Sequence, residues 1–410
     1  MNFEHIAELE KRVLVPTYDR LPILAVGGEG VYLYDDKGKK YLDFLGGLAV
    51  NSLGYAHPEI MATLRDSSET LLHVSNLIYH RYQAPLAEKL ARLAGLDRTF
   101  FANTGTEAAE GAMKLARAYA RKHHAADPFT RYEILSVENS FHGRTMGALA
   151  ATWPEKYRSP FEPLPLGTGF VPLNDAAALK AAFTARVCAL MVEPVQGEGG
   201  IVEIKEDFLK TAQALCREHD ALFICDEIQC GLGRTGRWFA FQEFGLEPDV
   251  VLVAKPLAAG LPLGAIIASE KAAQAFSPGM HGTTFGGGPL QCRIGLKVLE
   301  IMERPGFLQY VNEVGAYFRE ELQKLKEELP IVREVRGRGL MLAIELAVPG
   351  KSVVQKMLKA GFLINCTQEK VLRFLPPLII ERQHVDQLIQ ALRPELAALT
   401  PAPAATGVKP

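Results

Sequence analysis

Ala221-Leu222-Phe223-Ile224-Cys225-Asp226-Glu227 and Val250-Val251-Leu252-Val253-Ala254-Lys255 decide how this chain folds. Each is a short, unbroken apolar run that stops on charge. Such runs read as central strands of a sheet buried on both faces, because a strand with one wet face would alternate. In open α/β sheets the ligand crevice lies outside the carboxyl ends of these strands. Asp226 and Lys255 therefore reach one edge from two strands, as a reactive amine with an acidic partner. Taken singly, either is more often the point where a strand meets water.

Two other readings of the same region are weak. Leu222 to Glu227 is similar to the magnesium-holding strand of P-loop ATPases, but the only near match to the phosphate loop, Gly350-Lys351-Ser352, has Glu345 where its first Gly should stand. Gly231-Leu232-Gly233-Arg234-Thr235-Gly236 is a literal G-x-G-x-x-G. A dinucleotide fold would turn there directly from strand to helix, whereas residues 226–230 intervene and Trp238-Phe239-Ala240-Phe241 opens a helix poorly.

Around these strands the pattern alternates. Residues 99–102, 133–137 and 187–192 are strand-like, and helical runs follow at 106 to about 121 and 207 to about 219. The alternation predicts a mostly parallel central sheet sandwiched by helices, an α/β fold. Val31 to Phe44 reads as a hairpin turning at Asp36-Lys37-Gly38. Beyond about 296 the character changes to charged helix (320–328) and short strands (340–346, 371–374). We expect a large domain over 59–295, a smaller α+β domain from 1–58 and 296–398, and a disordered tail at 399–410.

With 410 residues and 48% hydrophobic content, the chain has enough apolar material for two lobes. Lys+Arg 45 against Asp+Glu 47 gives net charge -2, so no nucleic-acid or anionic-membrane partner is expected. No apolar run reaches the about 18 residues of a membrane span, and Met1-Asn2-Phe3-Glu4-His5 has no signal-peptide core. Six cysteines form no C-x-x-C pair and read as reduced thiols of a cytoplasmic protein. No Cys/His set has zinc spacing, and His123-His124 reads as a solvated helix end; no metal is expected.

Other strand-end loops carry chemistry too. Asn103-Thr104-Gly105-Thr106-Glu107 opens a helix; it reads either as an ordinary cap or as an anion site on free N–H groups. Asn139-Ser140-Phe141-His142-Gly143-Arg144-Thr145 offers a stacking face and a carboxylate fork. Glu193-Pro194-Val195-Gln196-Gly197-Glu198-Gly199-Gly200 places two acids in a Gly-rich loop. Each alone has a bland explanation; their convergence on one edge is the signal. Schiff-base chemistry needs a lysine of lowered pKa, a phosphate cradle, a flat face and an acid for a ring nitrogen. Lys255, Gly105 with Thr106, Phe141 and Asp226 supply those parts.

At these motifs the chain resembles class III (ornithine-type) aminotransferases. Phe101-Ala102-Asn103-Thr104-Gly105-Thr106-Glu107-Ala108-Ala109-Glu110, Phe141-His142-Gly143-Arg144-Thr145, Glu193-Pro194-Val195-Gln196-Gly197-Glu198, Asp226-Glu227-Ile228-Gln229, Ala254-Lys255-Pro256-Leu257 and His281-Gly282-Thr283-Thr284-Phe285-Gly286-Gly287 follow the family's order across residues 31–377. Gly46 to Pro58 is most similar to the acetylornithine group of that family. The resemblance implies a fold-type-I homodimer that uses pyridoxal 5'-phosphate, with active sites at the subunit interface, and transaminates N-acetylornithine with 2-oxoglutarate.

By resemblance, Lys255 is the Schiff-base lysine and Asp226 the partner of the pyridine nitrogen. Gln229 bonds the ring hydroxyl, Phe141 stacks, Gly105 and Thr106 form the phosphate turn, and Thr284 reaches the phosphate of the other subunit. Arg144 grips a substrate carboxylate, Glu198 and Arg373 are a switch pair, and Tyr18 stands at the substrate entrance. Gly288 and Pro256 depart from the family pattern and put local backbone geometry in question. Leu48, where free-ornithine enzymes carry a tyrosine, suits an acylated nitrogen that needs no polar partner. N-succinylated ornithine or diaminopimelate, free ornithine and 4-aminobutyrate are alternative donors. A non-catalytic cofactor-binding regulator would need an appended DNA-binding module, and none is visible.

Overall fold

The central sheet has seven strands in the order Arg98–Ala102, Gly264–Ala268, Val250–Val253, Leu222–Asp226, Val187–Val192, Glu133–Val137 and Thr168–Val171. The computed structural model that shows it describes residues 2–124 and 130–399. Four neighbouring pairs, from Val250–Val253 across to Thr168–Val171, are parallel. Gly264–Ala268 runs antiparallel to both of its neighbours, which the sequence reading does not anticipate. Every residue of Val187–Val192, Leu222–Asp226 and Val250–Val253 is buried.

The unbroken apolar runs have a direct cause. Leu222, Ile224, Val250 and Leu252 enter one core, and Phe223, Cys225, Val251 and Val253 enter another on the opposite face. Both faces are covered by helices, so neither parity of the strand tolerates a polar residue. The helix Gly105–His123 lies over Gly264–Ala268 and Val250–Val253. Ala108, Ala109, Gly111, Ala112 and Ala116 on its buried face are small and let the helix settle close to the sheet, beside the larger Met113, Leu115 and Tyr119. Truncating a core side chain such as Ile224 to Ala would remove about 2–5 kcal/mol of stability.

Outside this layer, Tyr32–Asp35 and Lys40–Asp43 form the expected hairpin, with Asp35 Oδ1 accepting N–H bonds from Lys37 and Lys39 across the turn. Lys40–Asp43 pairs in parallel with Phe362–Leu363, so sequence-distant ends share one sheet. A second antiparallel sheet, Val332–Arg338, Met341–Leu346, Val371–Phe374 and Asn365–Thr367, carries Arg373. Residues 231–236 form a buried loop rather than a strand-to-helix turn, which removes the dinucleotide reading. There Arg234 Nη1 donates to the carbonyls of Leu340 at 3.0 Å and Pro376 at 2.5 Å. Of the expected tail, residues 400–410 lie outside the described residues. No helix among those described is long and apolar enough to cross a membrane.

Candidate active site

Five strands of common direction end at one edge, and the loops after them wall a cavity of about 440 Å³. That volume suits a small organic ligand. Lys255 opens a 3₁₀ turn, Lys255–Ala258, with φ 34°, in the left-handed region that side chains seldom adopt. Pro256 fits the first turn of that element, where no N–H partner is needed. The lysine is half-buried in the cavity wall, and among the described residues no carboxylate lies within ion-pair distance of Nζ. Burial lowers its amine pKa, outweighing Asp226, Glu198 and Glu193, which act to raise it.

Asp226 faces the same cavity and is 3% exposed. Its Oδ2 lies 2.7 Å from His142 Nδ1, and its Oδ1 accepts the Ile228 N–H at 3.1 Å. Among the described residues His142 Nε2 is buried without a hydrogen-bond partner. Beside this dyad, Glu193 Oε1 accepts the Phe141 N–H at 2.8 Å and Oε2 the Gly197 N–H at 3.1 Å. Burial pushes the Glu193 carboxyl up to about 7, helped by Asp226 and opposed by His142 and the two amides.

Thr104 caps the helix Gly105–His123 in a reciprocal box with Glu107. The cap and the anion site are therefore not alternatives: Thr104 satisfies Glu107 N–H, while Gly105 and Thr106 face the cavity. Thr106 Oγ1 also accepts the N–H groups of Arg144 and Thr145, both at 3.2 Å, joining two strand-end loops. Only glycine fits at 143, where φ is 148° and a Cβ would collide with Thr106 Oγ1.

Phe141, Arg144, Glu198 and Gln229 also line the cavity. Arg373 stands behind Glu198, its Nη1 donating to Glu198 Oε1 at 2.6 Å and to Gln229 Oε1 at 3.4 Å. Although burial acts to raise the Glu198 carboxyl, Arg373 holds it below its usual range. Arg144 differs: its guanidinium lies 3.8 Å over the ring of Tyr157.

Thr284 and Tyr18 are not brought to this cavity. Thr284 is exposed on the segment between the helices Glu270–Ala273 and Pro289–Met302, and Tyr18 is 78% exposed beside a separate groove of the N-terminal segment. Leu48 is 43% exposed in a left-handed turn, Gly46–Ala49, and Val50 rather than Leu48 reaches the cavity. Gly288 caps the helix Pro289–Met302 with ordinary extended backbone. The sequence reading assigns no role to His142, Glu193 or Tyr157. The first two stand inside quoted motifs, where a buried polar residue beside a known site residue is the available signal; Tyr157 has none.

The model of the family described as aminotransferase class-III matches residues 14–396. The chain belongs to the class-III aminotransferases. It is 49% identical over 392 residues to an acetylornithine aminotransferase of Methanocaldococcus jannaschii, covering 96% of this chain and 98% of that relative. A solved ornithine aminotransferase from Toxoplasma gondii, described with partial occupancy of PLP at its active site, has TM-score 0.91 and 32% identity, covering 96% of this chain and 94% of that one. An acetylornithine aminotransferase structure from Elizabethkingia anophelis has TM-score 0.86 and 30% identity, covering 97% and 100%. The fold-type-I architecture expected from the sequence is the one observed. The residues present fit pyridoxal phosphate: an amine of lowered pKa, open helix-terminal amides, a flat Phe141 face and a carboxylate held by His142.

Proposed function

We propose that this enzyme transfers the ω-amino group of N-acetylornithine to 2-oxoglutarate, giving N-acetylglutamate 5-semialdehyde and glutamate. One observation carries the reading: the cavity joins a desolvated lysine, Asp226 on His142, an open arginine and an arginine already neutralised by an acid. When bound, pyridoxal phosphate supplies a carbonyl to take up the amino group and an electron-withdrawing ring. Lys255 would hold it, Gly105 and Thr106 would take the phosphate, Phe141 would cover the ring, Gln229 would bond its hydroxyl, and Asp226 would face its nitrogen. With donor in place, Lys255 Nζ would take the proton from the amine-bearing carbon and deliver it to the cofactor carbon that receives the nitrogen, and the other half-reaction would run these transfers in reverse. A deprotonated amine is needed for that step, and burial favours it.

Arg144 would receive a carboxylate of either substrate. Glu198 would keep the charge of Arg373 paired while an uncharged donor arm is bound and release it to the second carboxylate of 2-oxoglutarate. Identity to acetylornithine enzymes supports an acylated donor; likeness of fold alone does not separate it from ornithine. We also propose a cytoplasmic homodimer with shared sites. Leu77, Ile78 and Tyr79 are 93%, 61% and 102% exposed, beside a loop bonded through Asn76 to the carbonyls of Thr283 and Gly286. An exposed apolar patch of this kind fits a second copy, and it would carry Thr284 toward the partner's cavity. The division into 59–295 and 1–58 with 296–398 is proposed because Lys40–Asp43 and Phe362–Leu363 share one sheet.

Borohydride reduction of the holoenzyme, followed by peptide mapping, is expected to place the cofactor label on Lys255; a label elsewhere overturns the assignment. Comparing kcat/KM for acetylornithine, succinylornithine, ornithine and 4-aminobutyrate tests the donor, and a preference for free ornithine would refute it.

A further inference from the structure

We propose that Tyr157 is a positioning residue that presents the Arg144 guanidinium as an open receptor for the substrate carboxylate. The proposal rests on the carboxylate-receptor reading of Arg144 given above. Arg144 Cζ lies 3.8 Å from the centroid of the Tyr157 ring and 5.6 Å from that of Phe141. The two rings meet edge to face, with centroids 6.2 Å apart and planes at 86°. Among the described residues, no carboxylate lies within ion-pair distance of Arg144 and no acceptor takes its guanidinium N–H groups.

This mode of holding matters because of where a guanidinium keeps its donors. All five N–H groups lie in its plane, while stacking uses only its face. An acid partner would occupy the fork and have to be displaced by substrate. An aromatic face fixes the plane and leaves the fork free. The shelf is itself fixed: Tyr157 belongs to the short helix Glu155–Arg158, and Tyr157 N–H donates to Pro154 O at 2.9 Å. The preceding segment is stapled to the Phe141–Arg144 loop, because Trp153 N–H donates to Ser140 O at 2.9 Å and Thr152 Oγ1 accepts the His142 N–H at 2.9 Å. Ring and guanidinium thus ride on one bonded unit. The Tyr157 hydroxyl makes no hydrogen bond among the described residues, so the face rather than the hydroxyl is the functional part.

The test is steady-state kinetics of the holoenzyme with acetylornithine and 2-oxoglutarate. Tyr157→Leu should raise KM for both substrates by about two- to fivefold, the lower part of the cation–π range since Arg144 is exposed. Its kcat and visible absorbance band should stay close to those of the parent. Tyr157→Met fills the space without an aromatic face and should give the same rise, which covers a folding failure of the first variant. Tyr157→Phe should restore KM. In an Arg144→Ala background Tyr157→Leu should add nothing, because the two act as one unit. A Tyr157→Leu enzyme with unchanged KM, or full additivity in the double variant, overturns the proposal while Arg144 keeps its role. An Arg144→Ala enzyme with unchanged KM brings down the receptor reading and this proposal together.

Discussion

The two arginines of the cavity are held in opposite ways. Arg373 is 1% exposed and bound through Nη1 to Glu198; Arg144 is exposed and lies on a ring face. A buried guanidinium without a counter-charge is strongly destabilising, so Arg373 needs an internal acid even when no substrate is present. An exposed one carries no such cost and can wait unpaired. Arg144 is therefore open to any carboxylate, whereas Arg373 is available only to a ligand that displaces Glu198. One cavity serves a substrate with one carboxylate and a substrate with two.

Lys255 lies between the two sides and should fail both equally. Lys255→Ala is expected to lower turnover of either substrate by about 10⁴-fold, the upper range of a lost acid–base group, and to abolish the visible absorbance of the holoenzyme. A coloured, active variant would dissolve the comparison at its root. Arg144→Ala should come next, raising KM for both substrates by roughly 30- to 150-fold, or about 2–3 kcal/mol for a charge pair desolvated on binding. A loss confined to 2-oxoglutarate would mean that the open arginine is not the shared receptor.

Both sides were only partly readable in the sequence: strand-end logic reaches Arg144 and Glu198, but neither Tyr157 nor Arg373. Strand-end logic brings Lys255, Asp226, Glu198 and the Gly105–Thr106 turn together, because unbroken apolar runs mark strands and charges mark their ends. Arg373 follows from resemblance, and the structure seats it on Glu198 through a pairing of Val371–Phe374 with Met341–Leu346. Nothing in Glu155-Lys156-Tyr157-Arg158 marks Tyr157, since a lone aromatic in a polar stretch has no periodicity to betray what it faces. The reversed strand Gly264–Ala268 also escapes, because an apolar run carries no direction. Thr284 and Tyr18 lie away from the cavity of their own chain, and sequence spacing cannot distinguish a residue serving its own site from one serving a partner's.

Glu198→Gln should separate the two arginines by a smaller margin. It removes no contact of Arg144 with its ring shelf and strips Arg373 of its counter-charge. Glu198 keeps 26% side-chain exposure, so the expected loss of stability is about 2 kcal/mol, short of the ~3–5 kcal/mol of a fully buried pair. With Arg373 permanently free, KM for 2-oxoglutarate should fall while kcat/KM for acetylornithine drops. Equal effects on both substrates would argue that the pair is structural and not a switch.

Glu193 gives the subtlest test, because it ties the two sides: one oxygen holds Phe141 beside Arg144, the other holds Gly197 beside Glu198. Burial raises its native pKa to about 7 from an ordinary 4.5, with Asp226 adding to the rise and His142 opposing it. Between those values the native chain keeps a proton that the unfolded chain has released. Native protein then binds more protons than unfolded, so stability falls as pH rises through this window. Glu193→Gln cannot titrate and lacks that slope, although its amide can accept only one of the two N–H bonds. The melting temperature of the variant relative to the parent should therefore climb between about pH 5 and about pH 7.5. A constant difference across that range would mean the carboxyl is already ionised at the lower pH, held by the two amides and His142, and that the bridge between the two sides is charged throughout.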